Sequence, residues 1–259
     1  MNKLRRFSIL VDLFSCEEEK RALLIALYEY LDKTFSRYEL ACSPGCNLCC
    51  TTRIYATSLE AKYLLEGLPE GITFEIDENL LPRPGLTHNQ TALLYFSGEE
   101  PPPPEEAELH PCPFLNEEGL CSVYERRPLM CRIMVSFKKC SPLQQAELSQ
   151  ELYLRGLIAL QIVENIELYG LYGNIFDLLK FLSDLKKGKI DEIPPYLLSN
   201  VEFEELPLLP EEKDLRAWVG NLYRKEVFPG KTFRELLYEI KERLKEKESL
   251  SFLKEIFSA

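Results

Sequence analysis

The cysteines are the residues of this chain whose number and spacing point most clearly to chemistry. Eight of the nine lie between residues 42 and 140, in two groups. The first group is Cys42, Cys46, Cys49 and Cys50, and the second is Cys112, Cys121, Cys131 and Cys140. Thiolates separated by turn-forming residues are the ligands that a soft metal ion or an iron–sulfur cluster requires. The sequence therefore predicts a metal site and leaves open which reaction, if any, the metal serves.

The spacing within the first group fits a short chelating turn, and Pro44-Gly45 predicts a tight turn there. Two or three residues between two cysteines allow both sulfur atoms to reach one ion, and Cys42, Cys46 and Cys49 follow that rule. Cys49 and Cys50 are adjacent, and neighbouring side chains of an extended backbone point to opposite sides. Either these two thiols serve different centres, or one binds metal and the other packs. Eight cysteines could form two four-ligand sites or one site with spare cysteines.

The histidine content narrows the choice of metal. His88 and His110 are the only two histidines, so any site with many ligands must be dominated by thiolates. Two tetrahedral zinc sites are one solution. All-cysteine ligation also suits an iron–sulfur cluster, and the scarcity of histidine favours that reading, with a 4Fe–4S cluster as the expected type. In a reducing compartment clustered cysteines indicate metal binding rather than disulfides. Cys16 lies outside the pattern and is predicted to be a buried apolar residue.

Three further motifs accompany the first cysteine group in a fixed order. They are Cys112-Pro113-Phe114-Leu115, Gly119-Leu120-Cys121-Ser122-Val123-Tyr124 and Arg127-Pro128-Leu129-Met130-Cys131-Arg132. Over about residues 42 to 140 the chain resembles the CxxCxxCC family of zinc- or iron-chelating cysteine-cluster proteins. The resemblance implies metal ligands at Cys42, Cys46, Cys49, Cys50, Cys112, Cys121 and Cys131. It also implies Cys140, although the downstream cysteine is the weakest part of the match.

The resemblance carries one possible reaction with it. One branch of the family includes flagellin lysine N-methylases, which implies a protein-methylating role and S-adenosylmethionine as a cofactor. The chain lacks the glycine-rich loop of the common methyltransferase fold, which counts against that role. The spacing Cys42-x₃-Cys46-x₂-Cys49 is also that of radical S-adenosylmethionine enzymes. Those enzymes place the motif in a βα barrel, whereas helical patterns dominate here.

Charged neighbours of the cysteines have two interpretations. Arg53 and Arg132 could offset the negative charge of a thiolate-bound cluster. Alternatively, Arg126, Arg127 and Arg132 pair with surface glutamates. His110 is close enough to Cys112 in sequence to be a ligand or a proton donor, although such a histidine is more often only a neighbour.

Composition limits the classes of partner. The 259 residues carry a formal net charge of −11, which argues against nucleic-acid binding. No apolar run is long enough to span a membrane. Residues 1 to 16 loosely resemble a lipoprotein signal, but their apolar stretch is short and contains Asp12. The expectation is therefore a cytoplasmic protein whose partner is a protein substrate or a redox protein.

Helical periodicity and capping boxes predict a mainly α protein, the boxes being Ser15 with Glu18, Thr57 with Glu60, Ser141 with Gln144 and Thr232 with Glu235. Its small irregular cysteine-rich core contains short extended segments and is covered by N- and C-terminal helices. The predicted segments are an N-terminal amphipathic helix within 1–41, a metal-binding domain over 42–140 with a Pro-rich irregular insertion at about 68–111, and a helical region over 141–259. Within them, helices are predicted from Ser15 to Leu40, from Thr57 to about Gly67, near Pro128, from Ser141 to about Tyr169, and over about 175–187, 211–225 and 232–247.

The functional expectation is a metalloprotein carrying an iron–sulfur cluster, in electron transfer or in the modification of another protein. A structural-zinc interaction module and a lysine N-methylase-like enzyme using S-adenosylmethionine are the alternatives. No other catalytic motif is present, so the sequence leaves open whether the protein is an enzyme and names no catalytic residue.

Overall fold

The computed structural model describes residues 15–68, 76–77, 81–103, 107–141, 144, 146–190, 192–203, 208 and 211–258. Within them lie eight α-helices, so the mainly helical prediction is confirmed. The helices are α1 (Glu17–Phe35), α2 (Ser58–Leu65), α3 (His88–Phe96), α4 (Leu129–Ile133), α5 (Gln150–Ile166), α6 (Ile175–Lys186), α7 (Lys213–Tyr223) and α8 (Phe233–Ser258). The strands are β1 (Tyr55–Thr57), β2 (Leu171–Asn174), β3 (Leu198–Ser199), β4 (Glu226–Phe228) and β5 (Lys231–Thr232). None of the described helices is long and apolar enough to cross a lipid bilayer.

Helix α1 packs its apolar stripe against α5 and α8 in the larger of two hydrophobic clusters. Leu24, Leu27 and Leu31 are fully buried, as the helical spacing predicts. The predicted capping box at Ser15 is wrong: Cys16 is the N-cap, with a φ of 56° and no side-chain cap, and the Ser15 hydroxyl bonds Lys247 instead. Cys16 itself is partly buried against the same cluster, and the lipoprotein-like residues 1–14 lie outside the described residues.

Two other predicted capping boxes are confirmed. Thr57 and Glu60 exchange side-chain and backbone hydrogen bonds at the start of α2. Thr232 and Glu235 do the same at the start of α8. In both places the hydroxyl and the carboxylate satisfy backbone N–H groups that have no partner within the helix, which fixes where each helix begins.

The prediction of an irregular segment over residues 68–111 is wrong in its middle. Helix α3 occupies His88–Phe96 and begins with a capping box between Thr87 and Gln90. This helix is only nine residues long, and the prolines on either side of it favoured the prediction of irregular structure. The Thr-x-x-Gln spacing was the local signal for it.

The predicted helix start at Ser141 is also wrong. Ser141 pairs with Gln144 in an isolated bridge, and α5 begins at Gln150 with Ser149 as its N-cap. The chain just before α5 lies beside residues 136–138. The backbone N–H of Glu147 donates to the Ser136 hydroxyl, and the Glu147 carbonyl accepts from the Phe137 N–H. Pro142, the predicted first helical residue, lies outside the described residues. The helix also ends earlier than predicted, at Ile166.

A small antiparallel sheet, ordered β1-β2-β3, pairs β1 from before α2 with β2 and β3 from after α5, and it was not predicted. All four residues of β2 are buried, and Tyr55 pairs with Asn174 across it. This sheet joins α2 to α6 and places both beside the second hydrophobic cluster. That cluster includes Cys112, Phe114 and Val123 from the cysteine region. The division of the chain at residues 41 and 140 stays a prediction.

Three buried glutamates each accept hydrogen bonds from the N-terminal backbone of a helix. Glu164 bonds the N–H groups of His88 and Asn89 at α3, and Glu167 bonds that of Leu59 at α2. Glu60 bonds that of Leu129 at α4, at 2.7 Å. A carboxylate placed at a helix N-terminus interacts favourably with the helix dipole. These contacts position α2, α3 and α4 from outside each helix.

Glu60→Gln is expected to destabilise the fold by about 2–3 kcal/mol, because an amide NH₂ would face donors that now share two carboxylate oxygens. Urea unfolding measures this difference. The control is Glu66→Gln, whose half-exposed side chain pairs with Arg21 and Arg126 and is expected to cost less than about 1 kcal/mol. Equal costs for the two variants would contradict the role given to Glu60.

Burial raises the pKa of Glu164 from 4.5 to about 7. The folded carboxyl then holds its proton more tightly than the unfolded one. The contribution of Glu164 to the free energy of unfolding is about 3 kcal/mol below pH 4.5. This contribution is lost as the pH rises through about 7.

Burial of His88 lowers its pKa to about 4, which changes stability in the opposite direction over part of this range. The effect of Glu164 is therefore measured as the difference in pH dependence between the parent protein and a variant that keeps His88. Glu164→Gln is expected to retain relatively more stability at pH 7.5 than the parent protein when both are referenced to pH 5. Urea unfolding at both pH values measures this. Glu151→Gln, which changes a half-buried glutamate on the same helix, is expected to follow the parent. A Glu164→Gln profile parallel to the parent would refute the prediction.

Candidate metal centre

The first cysteine group lies on a series of tight turns. The N–H of Cys46 bonds the Ser43 carbonyl at 2.9 Å, and the N–H of Cys50 bonds the Asn47 carbonyl at 2.9 Å. Gly45 has a φ of 88°, which agrees with the turn predicted at Pro44-Gly45. Because the backbone turns here instead of extending, the side chains of Cys49 and Cys50 are not forced to opposite sides.

The second group begins on two short extended pieces, as predicted. Leu115 and Cys121 form an antiparallel bridge around a turn in which Gly119 has a φ of 75°. Two bonds tie this piece to the first group. The N–H of Cys112 donates to the Cys50 carbonyl at 3.0 Å, and the Asn47 amide donates to the Gly119 carbonyl at 3.4 Å. The backbone thus brings together residues more than sixty positions apart in the chain.

Helix α4 supplies Cys131. As predicted, Pro128 stands at its start. The buried carboxylate of Glu60 accepts the Leu129 N–H, so the position of Cys131 depends on a residue of α2. Arg132 follows Cys131 and bonds the carbonyls of Arg127 and Glu125 at 3.0 and 2.7 Å, which holds the preceding turn against the helix.

Seven of the eight candidate cysteines line one cavity of about 330 Å³. They are Cys42, Cys46, Cys49, Cys50, Cys112, Cys121 and Cys131. Apolar side chains, among them Ile54, Phe114 and Val123, form most of the remaining wall. Cys140 does not line the cavity, and its thiol lies 3.9 Å from the Lys138 carbonyl. All nine cysteines are free thiols, so the disulfide alternative gains no support.

The cavity wall has the donor chemistry of a soft-metal site, since it contains seven thiols and no histidine or carboxylate. Among the described residues, however, no three Cys, His, Asp or Glu side chains converge closely enough to form a ready-made coordination shell. The backbone therefore gathers the cysteines, and rotation of their side chains would have to complete the ligation.

Neighbouring thiols influence one another within this cavity. Cys49 and Cys50 share a hydrogen bond that lowers the pKa of Cys50 and raises that of Cys49. Burial, with Cys121 nearby, raises the pKa of Cys112 to about 11. Burial, with Cys112 and Cys121 nearby, also raises the pKa of Cys131. Proximity to a cation would favour the thiolate forms.

The thiols that act on Cys42 differ from those that act on Cys50, although Cys49 acts on Cys50 and Cys131 as well. Burial raises the pKa of Cys42, and the other thiols that act on it are those of Cys46, Cys49 and Cys140. The thiols that act on Cys50 beyond Cys49 are those of Cys131, Cys112 and Cys121. Cys140 is therefore a neighbour of Cys42, although it is not part of the cavity wall.

The arginines of this region serve the protein fold. Arg132 is buried, pairs with Asp32 and stacks over the Tyr28 ring at 4.1 Å. Arg126 pairs with Glu66 at 3.2 Å. These ion pairs agree with the plainer of the two sequence interpretations, although the Arg132 partner is an aspartate rather than a glutamate. Arg127 and Arg132 nevertheless line the cavity and place positive charge beside its thiols.

His110 does not line the cavity, and its backbone pairs with Thr52 beside the first cysteine group. Sequence reasoning missed the residues that position the site. Glu60 was identified only as a helix cap, and its bonds to Tyr28 and Leu129 link segments that are distant in sequence. Contacts between residues so far apart have no signal in the local sequence.

Comparison with known protein families gives a match over the cysteine region. Residues 41–148, which include all eight clustered cysteines, match the CxxCxxCC family model, described as a putative zinc- or iron-chelating domain. The resemblance seen in the sequence is thus confirmed over residues 41–148. No curated protein and no solved structure matches the chain.

Gly119→Ala is expected to weaken metal retention, because a Cβ there would displace the Asn47 amide that links the two cysteine groups. The matched control is Gly98→Ala, which has a φ of 78° and open space around it. Both changes cost about 1–2 kcal/mol of backbone strain, so the two variants should lose similar amounts of unfolding free energy. Metal content after dialysis against a weak chelator should fall only in Gly119→Ala. Equal metal loss in both variants would contradict the proposed link.

Proposed function

We propose that the protein is an iron–sulfur protein that holds two clusters in and beside the thiol-lined cavity and exchanges electrons with a protein partner. The observation that carries the proposal is the collection of seven thiols around one cavity of about 330 Å³. A structural zinc ion draws four sulfur atoms to about 2.3 Å and leaves no internal space. An iron–sulfur core contains several atoms, and a cavity lined by thiols fits it better.

The two thiol neighbourhoods suggest how the ligands would divide. Cys50, Cys112, Cys121 and Cys131 would form one set, supported by the Cys112–Cys50 backbone bond and the bridge at Cys121. Cys42, Cys46, Cys49 and Cys140 would form the other, close to residues 136–140 through the bond from the Ala41 N–H to the Ser136 carbonyl. Each set offers four thiolates, the number that a 4Fe–4S cluster takes.

The mouth of the cavity supports transfer of electrons to another protein. Cys49 is exposed, and three lining residues, Leu120, Tyr124 and Met134, are also 39–40% exposed. Apolar side chains around a surface opening are typical of a docking site. When bound, a cluster supplies one-electron chemistry, and a thin protein wall shortens the path to a partner. The apolar mouth would position that partner, while Arg127 and Arg132 would temper the negative charge of the ligands.

The other interpretations have less support. A structural-zinc module is favoured by the irregular backbone of the cysteine segments, which a metal ion would cross-link. A lysine N-methylase would need a cleft for S-adenosylmethionine beside the thiols, and no residue of the cavity wall is an obvious partner for that cofactor. We place the protein in the cytoplasm, where a reducing environment keeps thiols available for metal.

The test is anaerobic purification followed by absorption spectroscopy and analysis of iron, acid-labile sulfide and zinc. A brown protein with equal iron and sulfide would support the proposal, and reversible bleaching by dithionite would support redox function. A colourless protein with stoichiometric zinc would overturn the cluster and favour the structural-zinc alternative.

Cysteine variants locate the ligands. Cys131→Ser is expected to remove about half of the iron if each thiol set holds one cluster. Cys140→Ser is expected to remove the other half. Cys16→Ser is the control, because Cys16 packs against the larger hydrophobic cluster and not in the cavity. Full iron content in both Cys131→Ser and Cys140→Ser, or equal loss in Cys16→Ser, would overturn the ligand assignment.

A further inference from the structure

A second cavity, of about 360 Å³, lies between α5, α7 and α8, away from the cysteines. Most of its wall is apolar and includes Ile158, Ile162, Val219 and Leu237. Its size falls in the range of small-molecule sites, which typically combine an apolar wall with a few polar groups.

Gln161 is the unusual member of this wall. Its side chain is only 7% exposed and has no hydrogen-bond partner among the described residues. Asn165, one turn later on α5 and in the same wall, accepts hydrogen bonds from Asn89 and Phe203 and donates one to the Phe203 carbonyl. The amide atoms of Gln161 remain accessible from the cavity. Of the two amides, Gln161 is therefore the one that a ligand in the cavity could bind.

The charge at the rim indicates what kind of ligand. Arg234, in the first turn of α8, lines the cavity and has no acidic partner among the described residues. Lys241, also in the wall, is already paired with Glu202. A guanidinium that is free at the edge of an apolar cavity suits a carboxylate, which it can bind through two parallel hydrogen bonds.

We propose that this cavity binds a small amphiphilic carboxylate, such as a free medium-chain fatty acid. Its apolar chain packs between α5 and α8, and its carboxylate is bound by Arg234 and by the Gln161 amide. The proposal is independent of the metal centre, because none of the cavity residues is a cysteine.

Isothermal titration calorimetry of the full chain with monomeric octanoate tests the proposal. Saturable one-to-one binding is expected. Arg234→Gln should weaken it at least about tenfold, as loss of one charge-assisted pair implies. Gln161→Leu should weaken it several-fold because the ligand loses the amide's hydrogen bond, while urea stability should stay close to that of the parent protein. Arg243→Gln, which changes an arginine of α8 that pairs with Glu19, should bind like the parent protein.

Octylamine provides the ligand control, since it keeps the chain and reverses the charge. No octanoate binding, equal binding of octylamine, or unchanged octanoate affinity in Arg234→Gln or Gln161→Leu would overturn the assignment. Metal content measured on the same samples shows that any loss of binding does not arise from the cysteine centre.

Discussion

The buried carboxylate of Glu60 joins three parts of the chain that are far apart in sequence. One oxygen accepts from the Tyr28 hydroxyl of α1 at 2.8 Å and from the Leu129 N–H of α4 at 2.7 Å. The other accepts from the backbone and hydroxyl of Thr57 at the start of α2. A buried carboxylate is tolerated only when such donors surround it, so the contacts depend on one another. Through them, the position of Cys131 is fixed relative to both neighbouring helices.

The cysteine segments have little regular structure of their own. They rely on turns, two isolated bridges and a few backbone bonds, and they rest on the smaller hydrophobic cluster through Cys112, Phe114 and Val123. A scaffold of helices therefore holds the irregular backbone in place, and thiol ligation to a metal would add the remaining cross-links. This arrangement explains why the thiols have apolar neighbours, although they lie on irregular backbone and a short helix.

The two cavities lie against different hydrophobic clusters. The thiol cavity adjoins the smaller cluster, which α2, α6 and the sheet support. The second cavity is formed by α5, α7 and α8, which belong to the larger one. Helix α5 contributes Gln161 to the wall of the second cavity, and its Glu164 accepts the His88 N–H at the start of α3. The same buried helix therefore supports both the second cavity and α3.

The sequence by itself determined the chemistry of the candidate site and most helices, because cysteine spacing, capping boxes and apolar periodicity are local properties. It located α2, α4, α6 and the start of α8, but it misplaced the starts of α1 and α5 and missed α3. It could not give β2, the role of Glu60 or the grouping of Cys50 with the second cysteine group. Those features depend on contacts between distant residues, and only the tertiary structure decides which buried donors meet which carboxylate and which thiols share a cavity.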